Sequence, residues 1–169
     1  MSTTSALLGS CARASTGAEA RYRIDRPIKP SRAAWVVALD EGAVEVAQRA
    51  AEHEWASARF LICESVPVGE GVPVGELVLR FLDGESTVVS QLLGGADVVV
   101  MLSTDDSGAT CAHRLGKACW ERGIMTAGLV LGDGSQANGA VAALRPHARV
   151  LLPSSDEGDL IDLLTALRA

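Results

Sequence analysis

The chain has 169 residues, of which 48% are hydrophobic and 21% are charged. This composition suits one globular domain and excludes disordered, collagen-like and coiled-coil chains. The formal net charge is −6, and an acidic protein is a poor candidate for binding nucleic acid. No apolar run approaches the roughly 20 residues that a transmembrane helix needs.

Charge is distributed unevenly along the chain. Residues 1–33 carry six basic and two acidic side chains, whereas residues 34–169 carry nine basic and nineteen acidic ones. Pro27 and Pro30 disfavour a helix in the basic segment. We therefore expect a basic, largely irregular N-terminal extension over 1–33 and a single α/β domain over 34–169. The extension either contacts an acidic surface, on this chain or on a protein partner, or is a solvated tail without a role.

The four cysteines, Cys11, Cys63, Cys111 and Cys119, lack the spacing of a structural zinc site or a disulfide framework. Reduced thiols are the expected state. Residues 1–8 lack the basic and apolar stretches of a secretory signal. Together these features predict a cytoplasmic protein.

Short apolar runs alternate with helix-like segments along the domain. Strands are predicted at 34–39, 58–63, 97–102, 124–131 and 149–152, and helices at 42–54, 86–93, 109–122, 135–144 and after the capping residues 154–156. Residues 65–75, rich in Pro and Gly, are predicted as a loop or a loose edge hairpin, and 76–82 fit a strand or a short helix. The alternation predicts a three-layer, Rossmann-like α/β fold, with a mostly parallel sheet of about five strands and helices on both faces.

The strand-to-helix turns are the expected ligand positions, because parallel sheets bind ligands where the strand order reverses. The turns at 40–43 and 103–110 would face each other if the first strand and the 97–102 strand flank that reversal. Helix N-termini and close backbone approach at glycine favour a phosphorylated ligand there. The candidate binding residues are Gly42, Ala43, Ser103, Thr104, Ser107, Gly108, Ala109 and Thr110.

Four carboxylates accompany these turns: Asp40, Glu41, Asp105 and Asp106. They oppose a bare phosphate but suit a divalent cation, for which Asp105 and Asp106 are the candidate ligands. Acidic residues also stabilise helix N-termini without any ligand. Helix capping and a functional acidic edge therefore both remain open.

No catalytic residue can be assigned from motifs. The patterns GxxxxGK[ST] and GxSxG are absent, and GxGxxG does not follow the first strand. His113, one turn into its predicted helix, either reaches a ligand or lies on the helix surface. Cys63, at the end of the second strand, is either a nucleophile or a buried, inert thiol.

Residues 91–131 resemble the centre of the FtsZ/tubulin GTPase domain. The matching features are Gly95-Ala96-Asp97, the apolar strand 98–102, Gly123 and the segment 126–130 (TAGLV). Residues 35–63 are compatible with that family's first strand, helix and second strand. The turn 103–110 has two aspartates and one glycine in place of the family's run of Gly and Thr. The resemblance implies a degenerate nucleotide fold, with GTP or another phosphorylated ligand and Mg²⁺ as possible ligands and assembly as a possible role.

The same turn resembles the phosphate loop of sugar-phosphate isomerase (SIS) domains. Ser103 and the segment Ser107-Gly108-Ala109-Thr110 match that loop with one extra residue. This resemblance implies a sugar-phosphate-binding enzyme or regulator. Ser103, Ser107 and Thr110 would then contact the phosphate, with Glu41 or His113 as the acid/base.

Overall fold

A computed structural model describes residues 31–64, 76–132 and 137–169. In these ranges seven strands form one sheet: β1 Ala34–Ala38, β2 Ala58–Glu64, β3 Val78–Phe81, β4 Ser86–Val88, β5 Val98–Ser103, β6 Met125–Leu131 and β7 Val150–Ser154. The α-helices are α1 Glu41–Ala51, α2 Val89–Leu92, α3 Ala109–Glu121, α4 Asn138–Leu144 and α5 Gly158–Leu167. The predicted extension lies outside the described residues except for 31–33, and the predicted loop at 65–75 lies outside them entirely.

The sheet has the strand order β4-β3-β2-β1-β5-β6-β7. The five strands from β2 to β7 in this order are mutually parallel, and β3 and β4 extend the sheet in antiparallel fashion. The predicted α/β class and mostly parallel sheet are confirmed. The expected count of about five strands was too low, because a hairpin adds two.

One predicted helix was wrong. Residues 86–93 begin as the strand β4, and the helix α2 covers only Val89–Leu92. Ser86 pairs with Arg80 and Val88 with Val78 across the hairpin. Gly84 has a φ of 101°, a conformation that glycine adopts without strain, and forms the turn between the strands. Pairing with β3 thus overrides any helical tendency of residues 86–88.

Alternating side chains of the central strands face two separate cores. Trp35 and Val37 point towards α2, α3 and α4, whereas Val36 and Ala38 point towards α1 and α5. On α5, Leu160 and Leu164 are completely buried. This face of α5 therefore packs on the sheet. Apolar burial on both faces stabilises a sheet of this kind.

The strand order reverses at β1, which lies between β2 and β5. The chain leaves β1 through α1 on one face of the sheet and leaves β5 through α3 on the other face. The turns that follow β1 and β5 therefore meet at the same edge. Among the described residues no helix has the length and apolar character to cross a membrane.

Candidate functional site

The two turns predicted to face each other do so. Ala38 pairs with Leu102 at the ends of β1 and β5, and the Leu39 amide donates to the Leu102 carbonyl over 2.9 Å. Asp40 and Ser103 follow these positions directly. The expectation that β1 and β5 flank the reversal is confirmed.

Asp40 lies at the centre of this edge, and only 7% of its surface is exposed. Its Oδ1 lies 2.8 Å from the Ala43 amide nitrogen and 2.6 Å from the Thr104 hydroxyl. Its Oδ2 lies 2.8 Å from the Ser103 hydroxyl and 2.7 Å from the Thr104 amide nitrogen, with the Asp105 amide at 3.3 Å. Five donors thus surround one carboxylate.

These donors are of the kind that binds anions in other parallel sheets. The Ala43 amide belongs to the N-terminus of α1, and the Thr104 and Asp105 amides belong to the turn after β5. Helix N-termini and successive turn amides commonly hold phosphate or carboxylate groups. Here the protein's own carboxylate takes that position.

Two predicted ligand-facing glycines contact the protein chain instead. A Cβ on Gly42 would lie 2.3 Å from the Thr104 Oγ1 atom, and a Cβ on Gly108 would lie 2.6 Å from the Leu39 Cβ atom and 2.8 Å from its carbonyl oxygen. Both distances are far below ordinary van der Waals contact. The glycines therefore allow the turns to pack closely against neighbouring segments of the chain.

The candidate metal ligands Asp105 and Asp106 have different partners. Asp105 Oδ1 accepts from the Ser107 amide at 2.7 Å and the Ser107 hydroxyl at 2.5 Å. Asp106 Oδ1 accepts from the Ala140 amide, in the first turn of α4, at 2.9 Å. In the described ranges no group of three or more His, Cys, Asp or Glu side chains could hold a metal ion. These contacts support the capping alternative, as the Asp40 cap on α1 also does.

The other predicted binding residues differ in exposure. Ala43 and Ser103 are fully buried, whereas Ser107 and Thr110 are exposed at the start of α3. Glu41 is exposed as the first residue of α1. A ligand arriving at this edge would therefore meet Ser107 and Thr110 first.

Cys63 and Cys111 are buried neighbours on β2 and α3. Their hydrogen bond raises the pKa of Cys63, with burial adding to the effect, and lowers the pKa of Cys111. A raised pKa disfavours the thiolate, the reactive form. The structure thus agrees with the inert alternative for Cys63.

Sequence reasoning missed the contact between His113 and His147. The Nε2 atom of His147 lies 3.4 Å from the Nδ1 atom of His113, although the residues are 34 positions apart. His113 is exposed on the surface of α3, and no motif links it to His147. A spatial pairing of two isolated histidines leaves no signal in a single sequence.

A second missed feature is an exposed apolar surface on the last two strands. Met125, Val150 and Leu152 are 39%, 47% and 37% exposed. They lie on the face that carries α1 and α5, since Val150 pairs with Ala127 and Leu152 with Leu129. We call these three residues the β6–β7 apolar surface.

Comparison with known proteins identifies no family. No family model matches the chain, and no curated protein matches it. A solved structure of the human COPII-coat protein Sec24c is similar over 88% of this chain, at 11% sequence identity and a TM-score of 0.41. The match covers 33% of the Sec24c chain, and a likeness at this level supports no conclusion about function. The resemblances to FtsZ/tubulin and to SIS domains therefore remain predictions from sequence.

Proposed function

We propose that this chain is a non-catalytic Rossmann-like domain that acts through protein–protein contacts, and that the nucleotide fold implied by its resemblance to FtsZ/tubulin has lost effective ligand binding. We call the edge of the sheet where the turns 40–43 and 103–110 meet the reversal edge. The observation that carries the proposal is the Asp40 carboxylate, which is surrounded by the amide and hydroxyl donors of this edge. A phosphoryl group would have to displace that carboxylate to reach them.

Electrostatics oppose such a ligand as well. Two like unit charges about 4 Å apart repel by about 4 kcal/mol at an effective dielectric constant of about 20. Asp105 and Asp106 add further negative charge to the same turn. Phosphorylated ligands are therefore expected to bind weakly or not at all.

The β6–β7 apolar surface is the proposed contact region. Among the described strands β7 pairs with β6 alone, so it forms an edge of the sheet. Clustered exposed apolar side chains commonly mark protein interfaces. A second copy of this chain is the first partner to test. Residues 1–33 carry a net charge of +4 and residues 34–169 a net charge of −10, so one chain offers both signs of charge to another.

Sedimentation velocity of the full chain over a range of concentrations tests this proposal. Self-association that weakens in Val150→Asp/Leu152→Asp is the expected result. Gln48→Asp/Gln91→Asp adds the same charge at exposed positions elsewhere and should associate normally. Neutralising Arg21, Arg23 and Arg26 to Gln tests the basic segment in the same assay. A chain that stays monomeric at every concentration, or associates equally in all variants, contradicts self-assembly.

The SIS-like alternative has one observation in its favour, which is the exposure of Ser107 and Thr110 at the reversal edge. Thermal shifts with GTP, GDP, ATP and sugar phosphates, each with and without Mg²⁺, separate the two functions. A ligand at one hundred times its Kd stabilises the native state by about 2.7 kcal/mol. Stabilisation by a sugar phosphate that Ser107→Ala removes favours the alternative. A rise in Tm with GTP or GDP but not with ATP would contradict the proposed loss of nucleotide binding. The proposal predicts that none of these compounds changes the Tm.

A further inference from the structure

We propose that His113 and His147 form a two-histidine site for a divalent transition-metal ion of the Zn²⁺, Cu²⁺ and Ni²⁺ class. The site joins α3 to the connection between α4 and β7. It is separate from the reversal edge, and neither Asp105 nor Asp106 takes part in it.

The separation of the rings fits a shared metal ion. The two facing nitrogens are 3.4 Å apart and the ring centres are 5.2 Å apart. A tetrahedral ion about 2.0–2.1 Å from each of two imidazole nitrogens holds those nitrogens about 3.4 Å apart and the ring centres about 5.2 Å apart. In the absence of an ion the two nitrogens are within reach of a hydrogen bond, and the contact is longer than the usual N–H···O distance of about 2.7–3.2 Å. The pair is therefore spaced for an ion between the rings.

The backbone holds His147 in place while leaving its ring nitrogens available. The His147 amide donates to the Leu144 carbonyl over 2.9 Å, and its carbonyl accepts from the Thr126 hydroxyl. Gly116 on α3 permits the approach, because a Cβ there would lie 2.6 Å from the His147 Cβ atom and 2.7 Å from its Cγ atom. A glycine at position 116 is thus required for this placement of the ring.

The donor chemistry selects the class of metal. Imidazole nitrogens suit Zn²⁺, Cu²⁺ and Ni²⁺, whereas Mg²⁺ and Ca²⁺ prefer oxygen ligands. The described residues contain no cluster of three such ligands, so two protein ligands leave the other coordination positions to water.

The charged neighbours of the pair are mostly basic. Arg114, Lys117 and Glu121 belong to α3, and Arg145 and Arg149 flank His147 along the chain. Lys117 forms an ion pair with Glu121 at 3.9 Å, which offsets one of these positive charges. The remaining positive charges oppose any metal cation, so binding must rest on coordination by the two imidazole nitrogens.

Titration calorimetry of the full chain with ZnCl₂ and NiCl₂ tests the site. We expect His113→Ala and His147→Ala each to weaken binding at least about tenfold, since even the partners of metal ligands contribute about 10–100-fold. His53→Ala removes an exposed histidine outside the pair, whose ring is tilted against that of Trp55, and this variant should bind like the parent chain. Gly116→Ala keeps both ligands and should still weaken binding.

A spectroscopic measurement distinguishes this site from binding at thiols. Substoichiometric Cu²⁺ should broaden the ring-proton resonances of His113 and His147 before those of His53. Circular dichroism checks that each variant folds. Absence of binding by all three metals, equal affinity in every variant, or loss confined to His53→Ala would overturn the proposal.

Discussion

The Asp40 carboxylate lies 2.7 Å from the Thr104 amide nitrogen and 2.6 Å from the Thr104 hydroxyl. These contacts join the turns that follow β1 and β5, the two strands that flank the reversal of strand order. Since Asp40 also caps α1 through the Ala43 amide, one side chain holds three elements together at the position where related folds bind ligands.

Asp40→Ala should therefore destabilise the domain. The change removes a helix cap and leaves amides at a buried site without their acceptor, which costs about 3 kcal/mol in total. For a chain of this size that corresponds to a fall in Tm of about 10 °C. Urea denaturation measures the loss in the free energy of unfolding. Glu41→Ala, at an exposed neighbouring position, should change it by less than about 0.5 kcal/mol, and equal losses in the two variants would contradict this role.

Gly42→Ala tests the close contact between the two turns. The added methyl group would meet the Thr104 hydroxyl at 2.3 Å, and we expect destabilisation by about 2 kcal/mol. Thr104→Ala removes the atom in conflict, so the double variant should be more stable than the sum of the two single losses predicts. The matched control is Gly94→Ala, where a Cβ meets nothing within 4 Å. If the destabilisation of the double variant equals the sum of the two single losses, the contact between position 42 and Thr104 is absent.

The pH dependence of stability should include a contribution from His147. Its pKa is lowered in the folded chain by burial and by the charge of His113, so the unfolded chain binds a proton more readily. Stability is then complete above about pH 6.5 and falls as the pH drops through the folded pKa. Unfolding free energies between pH 5 and 8 should show a weaker acid loss in His147→Gln than in the parent chain. His53→Gln should behave like the parent, and identical pH profiles for all three chains would contradict the assignment.

Alkylation should distinguish the buried cysteines of the described region. Burial raises the pKa of Cys119 to about 12, whereas the hydrogen bond from Cys63 lowers the pKa of Cys111. Thiolates are the reactive species, so iodoacetamide at pH 8 should label Cys111 before Cys119, as measured by peptide mass spectrometry. Cys63→Ala removes the hydrogen bond and should slow the labelling of Cys111. Faster labelling of Cys119 than of Cys111 in the folded chain would contradict this prediction.

The fold class could be predicted from the sequence because it follows from the spacing of apolar residues along the chain. The apolar run of β5 and the amphipathic face of α1 are local patterns that report burial directly. The strand β4 was missed even though Asp83-Gly84 lies between two apolar runs and is a hairpin signal. Its β-branched residues, Thr87 and Val88, also favour a strand. That error was therefore avoidable from the residues themselves.

The candidate site was predictable only in part. The topology rule placed the turns after β1 and β5 opposite each other, and the candidate residues follow from that placement. The rule gives no direction for a side chain, so it could not show that the Asp40 carboxylate turns inward to accept from Thr104. The meeting of His113 and His147 depends on the missing Cβ of Gly116 and was equally beyond sequence reasoning.

The most direct test of the account is chemical rescue of Asp40→Ala by formate. The Asp40 carboxylate occupies a position surrounded by amide and hydroxyl donors, which is the arrangement of an anion-binding site. Removing it should leave a space of carboxylate size lined by those donors. We predict that sodium formate raises the Tm of Asp40→Ala well above its effect on the parent chain, with sodium chloride as the ionic-strength control. Equal shifts in the two chains would show that the donors do not form an anion site, and would contradict the central claim.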